Sequence, residues 1–168
     1  MPRKYRRHFL KAKEVKSILS EASEKLKVDF NQIFKNKVEL ELVETDFAEI
    51  FLVNGKPLLF RIEGKFVPTL VFNEFSASMS KVVVDMGAVP YVCNGASVMA
   101  PGIVRFEGEF KKGDLVFIVD EKHSKAIALG EAAYGADAAK KVAKGVVIKT
   151  IHFVGDKIWN FIKKLNSI

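Results

Sequence analysis

What most restricts the folding of this chain is how soon each of its apolar segments is cut short. Val38 to Leu42, Ala48 to Val53, Pro57 to Ile62, Leu115 to Val119 and Ala126 to Ala133 each run only a few residues before the pattern breaks, mostly at Gly, Asn or charged turn residues. Apolar runs of this length suit strands, whereas helices need about ten residues or more to bury a face. Asn54-Gly55 supplies the positive φ angles of a tight type I′ turn, so the segments flanking it are predicted to form a hairpin. Glu63-Gly64-Lys65 makes a second turn into a strand expected over Phe66 to Val71. A succession of short strands with small helices between them predicts a small closed or partly closed barrel, because closure removes exposed edges.

Helical spacing is confined to a few places. Val15, Ile18, Leu19, Ala22 and Leu26 mark one face of an amphipathic helix over Ala12 to Lys27. Asp29 with Gln32 resembles a capping box opening a turn from Phe30 to Phe34, and Val38 to Leu42 then alternates as a half-buried strand. Further along, Lys81 to Val84 reads as a strand. Gly87 to Gly95 reads as a short helix with Pro90 in its first turn, and Val98 to Phe106 as a strand bent at Pro101-Gly102. Lys112-Gly113-Asp114 is a turn, Gly130 permits close backbone approach, and Asp137 to Lys144 is a short helix closed by Gly145. After a strand from Val146 to Val154, Asp156 caps a last helix whose buried stripe is Ile158, Phe161, Ile162 and Leu165. Strand patterning falters at Asn73 to Ser80. The expected fold is therefore α+β, with a helix plus antiparallel meander over residues 1–76 and a barrel-like domain with a C-terminal helix over residues 77–168.

At 168 residues, 49% of them apolar, the chain can bury a sizeable core. Its single cysteine, Cys93, allows no internal disulfide. No run reaches the roughly 18 to 20 apolar residues that cross a bilayer, and Met1 to Arg7 lacks the apolar segment of a secretory signal. A cytoplasmic protein with no membrane association is the expectation. The 27 Lys and Arg against 20 Asp and Glu leave a formal charge of +7, which favours partners bearing phosphate: RNA, DNA or an anionic membrane. Arg3, Lys4, Arg6, Arg7, Lys11, Lys13 and Lys16 face only Glu14 in the first sixteen residues. Such a block often binds nucleic acid, the alternative being a solvated tail.

Signatures of catalysis are missing. His8, His123 and His152 have no partner at metal-ligand spacing, so neither a metal nor a cofactor is expected. Cys93 has no adjacent base to activate it. Asp120 and Glu121 are consecutive at a strand end and point to opposite faces, which suits a turn-capping or solvated role better than acid–base work. Neither G-x-G-x-x-G after a strand nor G-x-x-x-x-G-K-[ST] occurs. A non-enzymatic chain is predicted. What remains is charge on a strand-rich scaffold: Arg105, Lys111, Lys112, Lys140, Lys141, Lys144 and Lys149, with Tyr91, Phe106 and Tyr134 as stacking surfaces if exposed. Phosphate pairing with base stacking is the usual physical basis of RNA binding.

One stretch is more specific. Val82-Val83-Val84-Asp85 followed by Gly87-Ala88-Val89-Pro90-Tyr91-Val92-Cys93-Asn94-Gly95-Ala96-Ser97-Val98-Met99-Ala100-Pro101-Gly102-Ile103 resembles the opening of a PUA domain. Lys112 to Glu121 and Ala128-Leu129-Gly130-Glu131 continue it in the family's order. The resemblance implies a pseudo-barrel that binds structured RNA, often transfer RNA (tRNA) or ribosomal RNA (rRNA). Phe51 to Arg61, Pro68-Thr69-Leu70, and Gly145-Val146 through Ile151-His152-Phe153 to Lys157-Ile158-Trp159 are further similar to the malignant T-cell-amplified sequence (translation machinery-associated) family, whose archaeal members share the two-domain layout. That likeness implies a role in translation, in initiation, reinitiation or recycling. The implied partners are tRNA, the small ribosomal subunit and a partner like density-regulated protein. The RNA-binding residues it implies are Tyr91, Asn94, Gly95, Ser97, Arg105, Lys149 and His152, with Arg3, Lys4, Arg6 and Arg7 of the basic arm adding salt-sensitive affinity. The competing reading is an RNA-targeting subunit for a tRNA or rRNA modification enzyme.

Overall fold

The computed structural model describes residues 5–166. Arg3 and Lys4, two of the expected RNA contacts, lie outside the described residues. The chain divides into two compact units, Met1–Phe75 and Ser76–Ile168.

The first unit holds β1 (Tyr5–Phe9), α1 (Ala12–Leu26), α2 (Phe30–Ile33), β2 (Leu40–Thr45), β3 (Glu49–Val53), β4 (Lys56–Ile62) and β5 (Lys65–Pro68). The strands form one antiparallel sheet in chain order. Both turns predicted from Gly are built with paired positive φ angles, +50° and +85° at Asn54 and Gly55 and +51° and +77° at Glu63 and Gly64. β5 stops at Pro68, short of the Val71 expected. Thr69 is fully buried there, and its hydroxyl donates to Pro57 O at 2.8 Å. The chain then turns, and Phe72 and Phe75 close on Phe30 and Phe34 with ring centroids 5.5 to 6.3 Å apart. Phe30, Phe72 and Phe75 are fully buried, and each contributes roughly 2 kcal/mol or more. α3 (Asn73–Ser78) is a helix where only an interruption of the strand pattern was expected.

The basic arm is not simply a tail. Tyr5 to Phe9 pairs with β2 from Tyr5 opposite Thr45 to Phe9 opposite Glu41, so residues 5–9 are an edge strand. Along α1, Ala22 and Leu26 are buried, while Val15 and Leu19 are half-buried beside a groove of about 1020 Å³. Asp29 caps α2 by accepting from Asn31 N at 2.9 Å, one position earlier than a capping box with Gln32 requires.

The second unit contains β6 (Lys81–Val84), α4 (Val89–Val92), β7 (Val98–Met99), a 3-10 turn (Ala100–Gly102), β8 (Ile103–Glu107), β9 (Leu115–Asp120), β10 (Ala126–Ala132), α5 (Ala136–Ala139), β11 (Val146–Phe153) and α6 (Lys157–Asn166). The sheet order is β7-β11-β10-β9-β6-β8. Its two outer strands, β7 and β8, are joined by only the three residues of the 3-10 turn, so the sheet must curl until its ends nearly meet. The turn makes that closure: Ala100 N donates to Gly145 O before β11, and Asp85 N after β6 donates to Gly102 O, both at 2.9 Å. Val82, Val84, Val92, Val98, Val116, Ile118, Ala128 and Ile148 fill the interior. An antiparallel sheet and a curled half-barrel with few helices make the α+β fold that the sequence predicts. The helix expected over Asp137 to Lys144 is shorter, ending at Ala139.

Candidate nucleic-acid interface

The loop after α4 presents polar backbone on a rigid base. Pro90 starts α4 without needing a donor, and Val92 is buried beneath it. Asn94 N and Ala96 N both return to Tyr91 O, at 3.1 and 3.0 Å, and Gly95 N to Val92 O at 3.0 Å. Gly95 is constrained twice. Its φ of +94° disfavours any side chain, and a Cβ there would lie 3.2 Å from the Phe153 ring. Thr150 Oγ1 donates to Ala96 O at 3.0 Å, which ties the loop to β11. Val98 and Met99 then pair with Ile148 and Val146. Tyr91 is 71% exposed, Asn94 and Lys149 are exposed, and Ser97 is half-buried. Tyr91, Asn94, Gly95 and Ser97 thus share one loop, tied through Thr150 to β11, the strand that also carries the exposed Lys149, and Met99 and Val146, paired across β7 and β11, are exposed apolar residues. Glu131, directly across from Lys149 on β10, is the acid nearest to it in the register.

Other expected contacts stand elsewhere. His152 is fully buried, with Nδ1 donating to Asp156 Oδ2 at 2.7 Å, so it cannot touch RNA. That expectation is corrected: on β11 His152 faces the interior opposite Leu129, while Lys149 faces out. Arg105 lies on β8 opposite Val83 and is held by Glu107 at 3.2 Å. Arg7 makes a two-pronged bond with Glu41, at 2.8 and 3.1 Å, which raises its pKa and removes most of its value to a phosphate. Arg6 is exposed on β1, in the other unit.

Neither Asp120 nor Cys93 is set up for chemistry. Burial pushes the Asp120 carboxyl up. The backbone donors of His123, Lys125 and Lys122, with the charge of His123, outweigh it and hold the pKa below the usual carboxylate range. This is the turn-capping role expected of it. Burial raises the Cys93 thiol, the opposite of activation. Among the described residues no three His, Cys, Asp or Glu side chains are placed to hold a metal, and no helix is long and apolar enough to cross a membrane. That Thr150 and Phe153 position the loop was not foreseen, though both fall in the strand segment, Lys149 to Phe153, that the PUA resemblance implies meets RNA. Their signal was only the alternation of β11, and nothing local links them to Ala96 and Gly95.

Residues 80–154 match the family model of the PUA domain, and residues 6–72 match a domain of unknown function (DUF1947). The chain is 42% identical to an uncharacterized protein of Methanocaldococcus jannaschii over 93% of this chain and 96% of that one. It is 32% identical to translation machinery-associated protein 20 of Saccharomyces cerevisiae, covering 90% and 86% of the two chains. It is 31% identical to malignant T-cell-amplified sequence 1 of Rattus norvegicus, covering 88% and 85%. Among solved structures, a PUA-domain protein of Aeropyrum pernix superposes with a TM-score of 0.83 at 29% identity, over 96% of this chain and 94% of that one. This chain therefore belongs to the family of translation machinery-associated protein 20 and malignant T-cell-amplified sequence 1, with a PUA domain in its second half.

Proposed function

We propose that this chain is a non-enzymatic RNA-binding protein of the translation machinery that uses the Tyr91–Lys149 face of its PUA domain to hold tRNA or rRNA of the small ribosomal subunit. The observation that carries the reading is Tyr91, 71% exposed on a loop that Thr150 ties to β11, the strand that carries the exposed Lys149. A ring so placed adds little to a core and suits an unstacked base. Relatives named for the translation machinery support the cellular setting. A partner like density-regulated protein belongs to the same proposal.

Fluorescence anisotropy with a labelled tRNA transcript, and co-sedimentation with small ribosomal subunits, test this. Tyr91→Ala with Lys149→Ala is expected to weaken binding about tenfold or more at ~0.1 M salt, from a lost stack and a lost phosphate contact. Wild-type affinity in that variant, or failure of the wild-type chain to bind either RNA, would overturn the reading. For the arm, replacing Arg3, Lys4 and Arg6 with alanine should flatten the salt dependence of affinity by about 2 in slope. Arg7→Ala should leave that slope nearly unchanged, because its guanidinium is already committed to Glu41.

A further inference from the structure

We propose that the PUA domain carries a second phosphate-binding surface, formed by Lys111 and Lys112 before β9 and by Tyr134, Lys140, Lys141 and Lys144 around α5, which extends the RNA contact beyond the Tyr91–Lys149 face. The inference rests on the RNA-binding reading above. The two segments are locked to each other through backbone. Ala136 N donates to Phe110 O at 2.9 Å, and Gly113 N to Ala132 O at 2.8 Å. A Cβ on Gly135 would lie 3.9 Å from Lys111 Cα, so the Tyr134 segment and the lysine turn run side by side. Phe110 anchors the turn in the core among Ala132, Ala136 and Ala139.

Charge at this place is held ready for a partner. All five lysines are exposed, and among the described residues none of them makes an ion pair. Asp114, the acid within the turn, accepts the Lys111 N–H at 2.9 Å and so caps its own loop. Glu109 and Asp137 are the exposed acids flanking the two segments in sequence. By contrast Arg7, Arg61 and Arg105 are each tied to a glutamate. Tyr134, 40% exposed, is the large exposed aromatic of these two segments. A protein interface would want a cluster of aromatic or aliphatic anchors. Mobile ammonium groups beside a single exposed ring suit a phosphate backbone with an occasional stacked base. The Tyr134 segment is also tied to β11, since Ala133 N donates to Val147 O at 2.8 Å, two residues before Lys149.

The test uses the full chain and the same tRNA transcript, titrated across a salt series. Lys111→Ala with Lys112→Ala is expected to lower affinity about tenfold or more at ~0.1 M salt and to flatten the log–log salt slope by about 1.5. Lys122→Ala with Lys125→Ala removes the same charge from exposed positions at the opposite end of the β9–β10 hairpin and should change affinity by less than about threefold. All four side chains are exposed, so melting temperatures should stay at the wild-type value and exclude unfolding as a cause. The second surface is overturned if the two double variants behave alike, or if K111A/K112A binds as wild type while Y91A/K149A does not. If the unaltered chain ignores the transcript, the function itself has been misread.

Discussion

Replacing Gly130 with alanine is expected to cost the folded chain about 3 kcal/mol or more, the largest loss for the smallest added side chain. At Gly130 the β10–β11 ladder shifts register, and the two backbones press together. A Cβ would lie 2.9 Å from Ile148 Cγ2 and 2.8 Å from the Lys149 carbonyl carbon, and closer still to its oxygen. Two of these atoms are backbone in a central strand, so relief requires breaking the ladder instead of turning a rotamer. Gly55 is the control: it sits at a φ of +85° with nothing within 4 Å of a would-be Cβ. Gly55→Ala should cost only about 1 kcal/mol, from strain at positive φ. Chemical denaturation of both variants reads the difference, and a Gly130→Ala loss no larger than that of Gly55→Ala would contradict the packing account. The effect reaches the proposed RNA face, because Lys149 and Thr150 follow directly and Thr150 holds the 94–97 loop. Whatever fraction of Gly130→Ala folds should bind RNA more weakly than wild type.

What could be foreseen in the chain divides along the range of the interactions. Asn54-Gly55, Gly130 and Asp156 announce themselves because a positive φ, a close approach and a helix cap are local requirements that few residue types meet. The parallel pairing of β6 with β9, Lys81 opposite Phe117 through Val84 opposite Asp120, carries no such mark, since a parallel partner can be any apolar run of suitable length. β1 was hidden by its own charge. Arg6 and Arg7 read as part of a basic block that binds nucleic acid or else is a solvated tail, yet on an edge strand such side chains are tolerated and discourage further pairing. The candidate face shows the same division. Tyr91 to Ser97 is contiguous and carries the motif, so its grouping was legible. Arg105 and His152 looked equivalent to Lys149 as basic residues near strand ends, and only the pairing of Arg105 with Glu107 and the facing along β11 separate them. A bulge between Leu129 and Gly130 inserts Ile151 without a direct partner, which breaks the simple alternation of β11 where sequence reasoning depended on it.

Asp156→Ala should be the second most damaging single change, about 2 to 4 kcal/mol, because one carboxylate serves three donors. Its Oδ1 accepts Trp159 N at 2.7 Å and caps α6, while Oδ2 accepts Phe153 N at 3.0 Å and His152 Nδ1 at 2.7 Å. Removing it uncaps the helix and takes the Nδ1 partner from a fully buried imidazole. The loss should depend on pH in a defined sense. Burial by itself raises the Asp156 pKa, but the hydrogen bond and charge of His152, with the Trp159 and Phe153 N–H groups, outweigh it and hold the carboxyl below the usual range. A folded-state pKa below the unfolded one means that the stabilisation is complete above the unfolded value and fades as pH falls through the folded one. Wild type should therefore lose stability below about pH 4, where Asp120 is depressed in the same way and adds to the fall. Asp156→Ala should be far less stable at pH 7 and approach wild type as the pH drops toward 2.5. Melting temperatures of both proteins across that range decide the matter, and a gap of constant size would show that the carboxylate charge contributes nothing. Because Phe153 lies under Gly95, a loosened junction between β11 and α6 should also raise hydrogen exchange in the 94–97 loop before the barrel itself unfolds.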